Sequence, residues 1–219
     1  MNARLDAMGV SVERVPAVSV DDLVVDRPSD KLRAFLLRVD GDSARFEHKL
    51  GATWACMRSH LAVIAKAKSL GWPEVLILED DCEFELYTPA VLARVQEQLQ
   101  GLNWDMLYLG GTLKKGGRIK RVTSNLSSVA RVRLAHAYVV KSSIYDHILE
   151  QAERSGLPID WYYSEELLSQ VNAFMVRPVL VRQQLMDMSD IEQVFRKPKF
   201  RTRQWLQRLI ANLRYGGKA

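Results

Sequence analysis

The sequence predicts an α/β fold in which helices pack on a mainly parallel sheet. Short apolar runs of strand length alternate along the chain with longer segments whose apolar residues recur at helical spacing. Of the 219 residues, 47% are hydrophobic, which is enough for the core of one mid-sized domain. The charged fraction of 26% and the modest glycine and proline content argue against a disordered or fibrous chain.

Each expected strand is a short apolar run bounded by polar or turn-forming residues. Residues 75–78 are fully apolar and are followed directly by three acidic residues. The other expected strands are residues 13–18, 106–109, 134–140 and 176–181.

Helical periodicity predicts three helices, at residues 58–70, 89–99 and 142–154. Gly71 and Gly156 are placed to end the first and the last, and Thr88 is placed to cap the second. Between strands, residues 112–128 are rich in lysine, arginine, glycine and serine, so we expect a mobile basic loop there.

The net charge of +5 is concentrated near the C-terminus. Residues 196–219 contain eight lysines and arginines and no acidic residue, whereas the rest of the chain has 23 basic and 26 acidic residues. We therefore expect a globular domain over residues 1–195 and a basic amphipathic tail over residues 196–219. Because the basic excess is confined to the tail, we expect no nucleic-acid partner.

Five apolar residues of this tail fall on one face of a predicted helix: Trp205, Leu206, Leu209, Ile210 and Leu213. Arginines occupy other positions around the same helix. Such a helix suits an anionic membrane surface. The alternative is a helix that docks on the core of the protein itself or on a partner.

The cytoplasm is the expected compartment. The first residues lack the apolar core of a signal peptide, and no apolar run reaches the 18 residues of a membrane span. The two cysteines, Cys56 and Cys82, form neither a CxxC pair nor a Cys/His zinc pattern, and they are too few for a disulfide scaffold.

Glu79, Asp80 and Asp81 directly follow the apolar run at 75–78. In α/β folds, ligands bind beyond the carboxyl ends of strands. Adjacent carboxylates repel one another by about 1 kcal/mol even in water, and a divalent cation would remove that repulsion. Oxygen-only ligands favour Mg²⁺ or Mn²⁺. The alternative is an acidic loop that caps the following helix.

Cys56, Ser59 and His60 lie near the predicted start of a helix. Backbone amides at a helix N-terminus, together with the serine hydroxyl, could bind an anion. A Cys–His pair could instead supply a thiol nucleophile and its base. His60, and also His136 in the run 134–140, could equally be buried structural histidines.

Asp160 follows Pro158 and precedes Trp161, Tyr162 and Tyr163. It could cap a helix. It could also be a general base beside aromatic faces that suit a sugar ring. The chain lacks the GxxxxGK[ST] and GxGxxG patterns, which argues against P-loop kinases and dinucleotide enzymes.

Seven short segments, taken in order, resemble glycosyltransferase family 25, which includes bacterial lipopolysaccharide galactosyl- and glucosyltransferases and the collagen galactosyltransferases. Together they span most of the body of the chain. The segments are VERVPAV (12–18), CMRSH (56–60), ILEDD (77–81), WDMLYLGG (104–111), AHAYVV (135–140), PID (158–160), and Gln183 followed by SDI (189–191).

The resemblance implies a GT-A fold and the transfer of galactose or glucose, with inversion, from a UDP-sugar to a saccharide. The family's setting implies a free or lipid-linked acceptor, in lipopolysaccharide or surface glycan assembly, at the cytoplasmic face of the inner membrane. By comparison with the family, the chain begins where the first strand should already have ended, so we expect that strand to be missing.

The resemblance also implies roles for nine residues. Glu79, Asp80 and Asp81 would form the metal motif, with Asp81 and either Glu79 or Asp80 nearest a Mn²⁺ or Mg²⁺ ion that bridges the donor diphosphate. Asp160 is the first candidate for the general base, and Asp190 is the second. The residues expected around the donor are Ser59, His60, His136 and Gln183.

Two other functions are compatible with these residues. A metal-dependent phosphohydrolase would use Asp80 and Asp81 and would release phosphate without an acceptor sugar. A non-catalytic module would bind RNA or acidic lipid through its basic tail.

Overall fold

A computed structural model describes residues 5, 9–20, 27–183 and 202–215. Helices and a six-stranded sheet make up this part of the chain, which confirms the α/β class. The helices are α1 (Asp30–Asp40), α2 (Phe46–Ser69), α3 (Thr88–Leu99), α4 (Tyr145–Ser155), α5 (Ile159–Tyr162) and α6 (Thr202–Tyr215). A 3₁₀ turn at Ser142–Ile144 precedes α4, and a π-helical turn at Tyr163–Leu167 continues α5.

Ten strands form one large sheet and two short pairs. The strands are β1 (Glu74–Leu78), β2 (Cys82–Phe84), β3 (Met106–Tyr108), β4 (Thr112–Leu113), β5 (Ile119–Arg121), β6 (Leu126–Val129), β7 (Val132–Arg133), β8 (Ala137–Lys141), β9 (Ala173–Val176) and β10 (Val181–Gln183). The large sheet has the order β1-β8-β3-β9-β6-β5, and the short pairs are β10 with β2 and β4 with β7.

The prediction of a mainly parallel sheet is wrong. Among the described strands of the large sheet, β3 and β9 form the one parallel pair, and the other four neighbouring pairs are antiparallel. Strand β8 enters between β1 and β3 in the opposite direction to both. A fully apolar strand can be buried in either arrangement, so its sequence does not encode its direction. The Rossmann-like GT-A arrangement is therefore not confirmed.

Both faces of the large sheet are buried. Successive strand residues point to opposite faces, so Met106 and Tyr108 lie in one apolar cluster and Leu107 lies in another. The first cluster is completed by α1, α2, α4 and α5, and the second by α3 and α6. The sheet is thus the middle layer between two groups of helices.

Helix α2 begins at Phe46 rather than at residue 58. The prediction missed its first half because Arg45, at the N-cap position, makes no side-chain cap and because Gly51 and Thr53 are poor helix formers. Burial of Leu50 and Trp54 stabilises this half by tertiary packing instead.

Other boundaries also differ from the prediction. Residues 13–18 form no strand in the structure. The run at 176–181 divides between the end of β9 and the start of β10, since Pro178 cannot donate a ladder hydrogen bond. Thr88 is the first residue of α3 and donates its hydroxyl to the Leu180 carbonyl, so it is not the cap. By contrast, Gly156 ends α4 in the left-handed conformation, as predicted.

The predicted loop at 112–128 contains regular structure. Strands β5 and β6 form an antiparallel hairpin in which Ile119 lies opposite Val129. The turn between them closes where the amides of Val122 and Thr123 donate to the Leu126 carbonyl. Short polar strands of this kind lack the long apolar run on which the strand prediction depended.

Helix α6 packs on the body of the protein. Ala211 and Tyr215 are buried in the second apolar cluster, and the Arg208 guanidinium forms an ion pair with the buried Glu85. Leu209, Ile210 and Leu213 remain exposed, by 40%, 54% and 76%. The side chains of Trp205 and Leu206 lie outside the described residues.

Candidate active site

The three acidic residues form the turn between β1 and β2. The Glu79 amide donates to the His136 carbonyl at 2.8 Å, and the Cys82 amide donates to the Glu79 carbonyl at 3.2 Å. These bonds fix the turn against the start of β8. Strand β2 then pairs with β10, which places Gln183 opposite Cys82 and beside the acidic turn.

The Glu79 carboxylate is half-buried and lies between two side chains that are far away in the sequence. Gln183 Nε2 donates to Glu79 Oε2 at 3.1 Å, and His60 Nε2 lies 3.4 Å from Glu79 Oε1. His60 is buried in the middle of α2, and its Nδ1 lies 2.9 Å from the Tyr138 hydroxyl. Tyr138 in turn hydrogen bonds Tyr163 at 3.2 Å. A continuous polar chain therefore crosses the interior.

Electrostatics favour charge on both His60 and Glu79. Burial opposes the imidazolium, but hydrogen bonds and charge interactions with Cys56 and Glu79 outweigh it and raise the pKa of His60 to about 10. Burial also opposes the carboxylate, but the contacts with His60, the nearby His136 and Gln183 hold the pKa of Glu79 below its usual value. Glu79 therefore stays ionised at neutral pH.

Asp80 and Asp81 differ in exposure. Asp80 is exposed and Asp81 is half-buried with its Oδ1 atom buried, on a turn directly beyond the carboxyl end of β1. Carboxylate oxygens suit a hard cation such as Mg²⁺ or Mn²⁺. The donor types of this pair therefore fit the ion that the sequence predicts.

His136 lies on the inner side of the turn. Its Nε2 is 3.3 Å from the Val181 carbonyl, its Nδ1 is buried without a hydrogen-bond partner, and burial lowers its pKa. A Cβ atom on Gly110 would lie 2.3 Å from His136 Nε2 and 2.4 Å from the Val181 oxygen. Only glycine therefore fits at position 110, the first of the two adjacent glycines Gly110 and Gly111.

Asp160 is the second half-buried carboxylate of this region. Its Oδ2 accepts a hydrogen bond from the Leu134 amide at 3.2 Å. Leu134 has φ 71°, a strained conformation for a residue with a branched side chain. Burial raises the pKa of Asp160, partly opposed by the Leu134 amide and Arg133, and the charge of Glu79 raises it further. The two carboxylates are therefore close enough to repel each other.

Asp160 does not cap a helix. Pro158 occupies the N-cap position of α5, and Asp160 is the second residue of that helix. Its carboxylate reaches across to the strained segment before β8 instead. The structural role predicted from sequence is therefore wrong.

A basic and aromatic cluster lies beside Asp160. The Arg133 guanidinium stacks 3.2 Å above the Trp161 ring, and Nη2 donates to Glu165 Oε1 at 2.8 Å. Glu165 also pairs with Arg131. Arg133 is buried, and its Nε and Nη1 have no hydrogen-bond partner in the described residues.

The aromatic residues after Asp160 do not offer free faces to a sugar. Tyr162 and Tyr163 are buried, and the Trp161 ring lies between Arg133 and the edge of Phe35. The expectation of a stacking platform there is wrong, because these rings complete the core.

No family model matches the chain. Over 109 residues, or 48% of the chain, it is 33% identical to a glycosyltransferase 25 family member of Aedes aegypti. Over 114 residues, or 50% of the chain, it is 32% identical to one of Drosophila pseudoobscura pseudoobscura. This similarity confirms the resemblance to glycosyltransferase family 25. The matched segments cover only 17% and 18% of these relatives.

The structure brings together most of the residues that the glycosyltransferase 25 resemblance assigns to a site. Three of the nine, Glu79, Asp80 and Asp81, form the acidic turn. His60 and Gln183 contact Glu79, and His136 lies directly behind the turn. Asp160 lies within electrostatic range of Glu79. Asp190 lies outside the described residues.

Ser59 makes no contact with the acidic turn in the hydrogen bonds of its hydroxyl, unlike its neighbour His60. Its hydroxyl accepts a hydrogen bond from the Val18 amide and donates one to the Ala55 carbonyl. Because Ser59 and His60 lie in the middle of α2, the backbone amides there already bond within the helix. The predicted anion site at a helix N-terminus is therefore wrong.

The sequence predicts no role for Tyr138 or Arg133, and it does not predict the hydrogen bond between Tyr163 and Tyr138. The AHAYVV segment contains one signal for Tyr138. It follows His136 by two residues, so in a strand both side chains would point to the same face. Nothing in the sequence marks the contacts of Tyr163 or Arg133, since their partners come from separate elements.

Proposed function

We propose that the chain transfers galactose or glucose from a UDP-sugar to a saccharide, in an inverting reaction that depends on Mn²⁺ or Mg²⁺. The observation that carries this proposal is the grouping of the acidic turn with Asp160 in a chain similar to glycosyltransferase 25 family members. A glycosyl transfer of this type needs a site for a diphosphate and a carboxylate that accepts a proton.

Asp80 and Asp81 would hold the divalent ion. When bound, such an ion stabilises the negative charge that develops on the departing nucleoside diphosphate. The resemblance implies that Glu79 can also be a ligand of this ion. In our proposal it is not, because its two oxygens already face His60 and Gln183. The protein thus fixes the turn through Glu79 and leaves the next two carboxylates for the ion.

Asp160 is the proposed general base. The acceptor hydroxyl attacks the anomeric carbon and loses its proton to the Asp160 carboxylate. The new bond joins the acceptor oxygen to that carbon, and the bond from the carbon to the diphosphate oxygen breaks, so UDP leaves. One displacement of this kind inverts the anomeric configuration. The raised pKa of Asp160 supports this role, since a base works best when its pKa approaches the working pH.

The nucleotide sugar and its cation can be tested directly. UDP release is measured with UDP-galactose and UDP-glucose, each with Mn²⁺ and each with a chelator. We expect Mn²⁺-dependent release, and we expect Asp80→Asn and Asp81→Asn each to lower it about a hundredfold or more. Asp42→Asn, at an exposed loop position between α1 and α2, is the control.

Two results would overturn the assignment. Near-normal Mn²⁺-dependent turnover in both turn variants would show that the ion binds elsewhere. Release of inorganic phosphate without UDP would favour the phosphohydrolase.

We further propose that the acceptor is lipid-linked and that α6 holds the protein at an anionic membrane surface, at the cytoplasmic face of the inner membrane. The exposed Leu209, Ile210 and Leu213, the basic residues of 196–219 and the absence of acidic residues there support this proposal. No helix in the described part of the chain is both long enough and apolar enough to cross a bilayer.

The membrane proposal requires substitutions rather than deletion, because removing residues 200–219 would also remove the buried Ala211 and Tyr215. Changing Leu209, Ile210 and Leu213 to Gln should abolish sedimentation with phosphatidylglycerol vesicles. The control changes the exposed Leu37 and Val39 of α1 to Gln. Equal sedimentation of both variants would contradict the proposal.

A further inference from the structure

A second set of possible metal ligands lies behind the acidic turn. Cys56 and His60 are four residues apart on α2, so both project from the same face of the helix. The Cys56 Sγ atom, a His60 ring nitrogen and a Glu79 carboxylate oxygen all lie within 4.8 Å of one another. Helix α2 and the turn after β1 thus bring a thiol, an imidazole and a carboxylate close together.

The separation between His60 and Glu79 is also wide enough for a shared ion. Their facing atoms, Nε2 and Oε1, are 3.4 Å apart, longer than the roughly 2.7–2.9 Å of a charge-assisted hydrogen bond. Two ligands that each lie about 2.05 Å from a tetrahedral Zn²⁺ ion are about 3.4 Å apart. The measured spacing therefore matches the edge of a zinc coordination tetrahedron.

Surrounding residues orient two of these ligands. The Tyr138 hydroxyl occupies His60 Nδ1, which leaves Nε2 facing Glu79. Gln183 occupies Glu79 Oε2, which leaves Oε1 facing His60. Hydrogen bonds to the outer atoms of ligands are the usual way in which proteins fix metal ligands.

We propose that Cys56, His60 and Glu79 bind a thiophilic divalent ion of the Zn²⁺ type. Binding the ion would release the proton of His60 Nε2 and the thiol proton of Cys56 to solvent. The resulting imidazole and thiolate select Zn²⁺ over Mg²⁺ or Mn²⁺, whereas Asp80 and Asp81 offer only oxygen. Three protein ligands leave a fourth position for water. The ion would link α2 to the end of β1 and so hold the acidic turn in place. This inference does not depend on the proposed sugar transfer.

Cobalt is the probe for this site, because Co²⁺ replaces Zn²⁺ and reports its ligands by absorption. Titrating the metal-stripped full chain with Co²⁺ should produce a thiolate-to-cobalt charge-transfer band and the visible bands of a tetrahedral ion. Zn²⁺ added afterwards should remove both. Cys56→Ser should abolish the charge-transfer band, and Cys82→Ser should retain it, since Cys82 donates to the His136 carbonyl instead.

A second variant tests the surrounding shell. Tyr138→Phe should weaken Zn²⁺ binding about 10- to 100-fold. Tyr145→Phe, which removes a weaker hydrogen bond at 3.4 Å to the Val140 carbonyl, should leave it unchanged. Melting curves recorded with a chelator confirm that each variant folds before its affinity is compared.

Three results would overturn the site. These are no charge-transfer band in the wild-type chain, a band that survives Cys56→Ser, or a band that disappears equally in Cys82→Ser. Loss of the band in Asp80→Asn and Asp81→Asn, with Cys56 intact, would also contradict it. None of these outcomes depends on turnover, so the metal site can fail while the proposed transfer stands.

Discussion

Glu79 and Asp160 are both half-buried carboxylates of one region, yet their surroundings shift their pKa values in opposite directions. The neighbouring His60, His136 and Gln183 outweigh burial and lower the pKa of Glu79. At Asp160, burial outweighs the Leu134 amide and Arg133, so the pKa rises. Burial acts on both groups, and the difference lies in how much positive charge and hydrogen bonding each receives.

This difference separates the roles of the two groups. A carboxylate that is held ionised and contacted on both oxygens suits a fixed structural or ligand position. A carboxylate with a raised pKa suits the transfer of a proton. These surroundings support the proposed roles, which are binding at the acidic turn and proton transfer at Asp160.

The largest expected effect is on turnover in Asp160→Asn. Loss of the base should reduce kcat by roughly two to four powers of ten. The fold should be retained, because the Asn side-chain oxygen can still accept from the Leu134 amide. Single-turnover rates measure the loss of the base, and thermal melts measure any loss of stability.

Asp105→Asn is the matched control for this change. Asp105 is also half-buried and accepts a backbone hydrogen bond, from the Asn172 amide at 2.9 Å. Comparable losses of turnover in both variants would show that the effect is structural.

The pH dependence is the next largest effect. Because the pKa of Asp160 is raised, the wild-type rate should fall about tenfold per pH unit below a pKa that lies above 3.8. The residual rate of Asp160→Asn should be flat over that range.

The same shift has a definite sign for stability. Asp160 favours the fold when protonated, and this contribution is lost as pH rises through the folded pKa. At neutral pH, Asp160→Asn should therefore melt at the same temperature as wild type or higher. A lower melting temperature there would contradict the raised pKa.

Gly110→Ala should destabilise the fold next to the acidic turn. The new Cβ would overlap His136 Nε2 and the Val181 carbonyl, at a cost of about 3 kcal/mol or more. In Gly101→Ala the added Cβ meets no atom within 4 Å, so only the strain of its positive φ remains, about 1–2 kcal/mol. Urea denaturation measures both, and equal losses would contradict the close packing.

Tyr138→Phe should have the smallest effect on stability. It removes the hydroxyl that links His60 to Tyr163, which is worth about 1 kcal/mol. If Tyr163→Phe costs a similar amount and the double variant costs less than the sum, the two hydroxyls act as one chain. Strict additivity would show that they do not.

Local signals in the sequence predicted some of these features. The apolar run before the acidic turn gave β1, and Gly156 gave the end of α4. Strand direction was not predictable, because the apolar content of a strand is the same in both orientations. The first half of α2 was also missed, since its stability comes from the burial of Leu50 and Trp54 rather than from capping.

Sequence reasoning located the candidate site through the order of its segments, not through contacts. The contact of Gln183 with Glu79 joins positions 104 residues apart, so no spacing rule could reveal it. Cys56 and His60 show no zinc pattern in the sequence, because the third ligand comes from the turn after β1. The roles of Ser59 and of the aromatic residues after Asp160 were wrong because burial and backbone contacts depend on the tertiary fold.

The proposed division of roles between the acidic turn and Asp160 is tested most directly by measuring UDP-sugar binding and turnover in the same variants. Calorimetry gives the Kd for the donor with Mn²⁺, and single-turnover kinetics gives the rate. We predict that Asp160→Asn binds the donor with unchanged Kd and loses turnover, whereas Asp81→Asn loses the Mn²⁺-dependent part of binding. If Asp160→Asn weakens donor binding as much as Asp81→Asn does, or if it turns over at the wild-type rate, the separation of roles is contradicted.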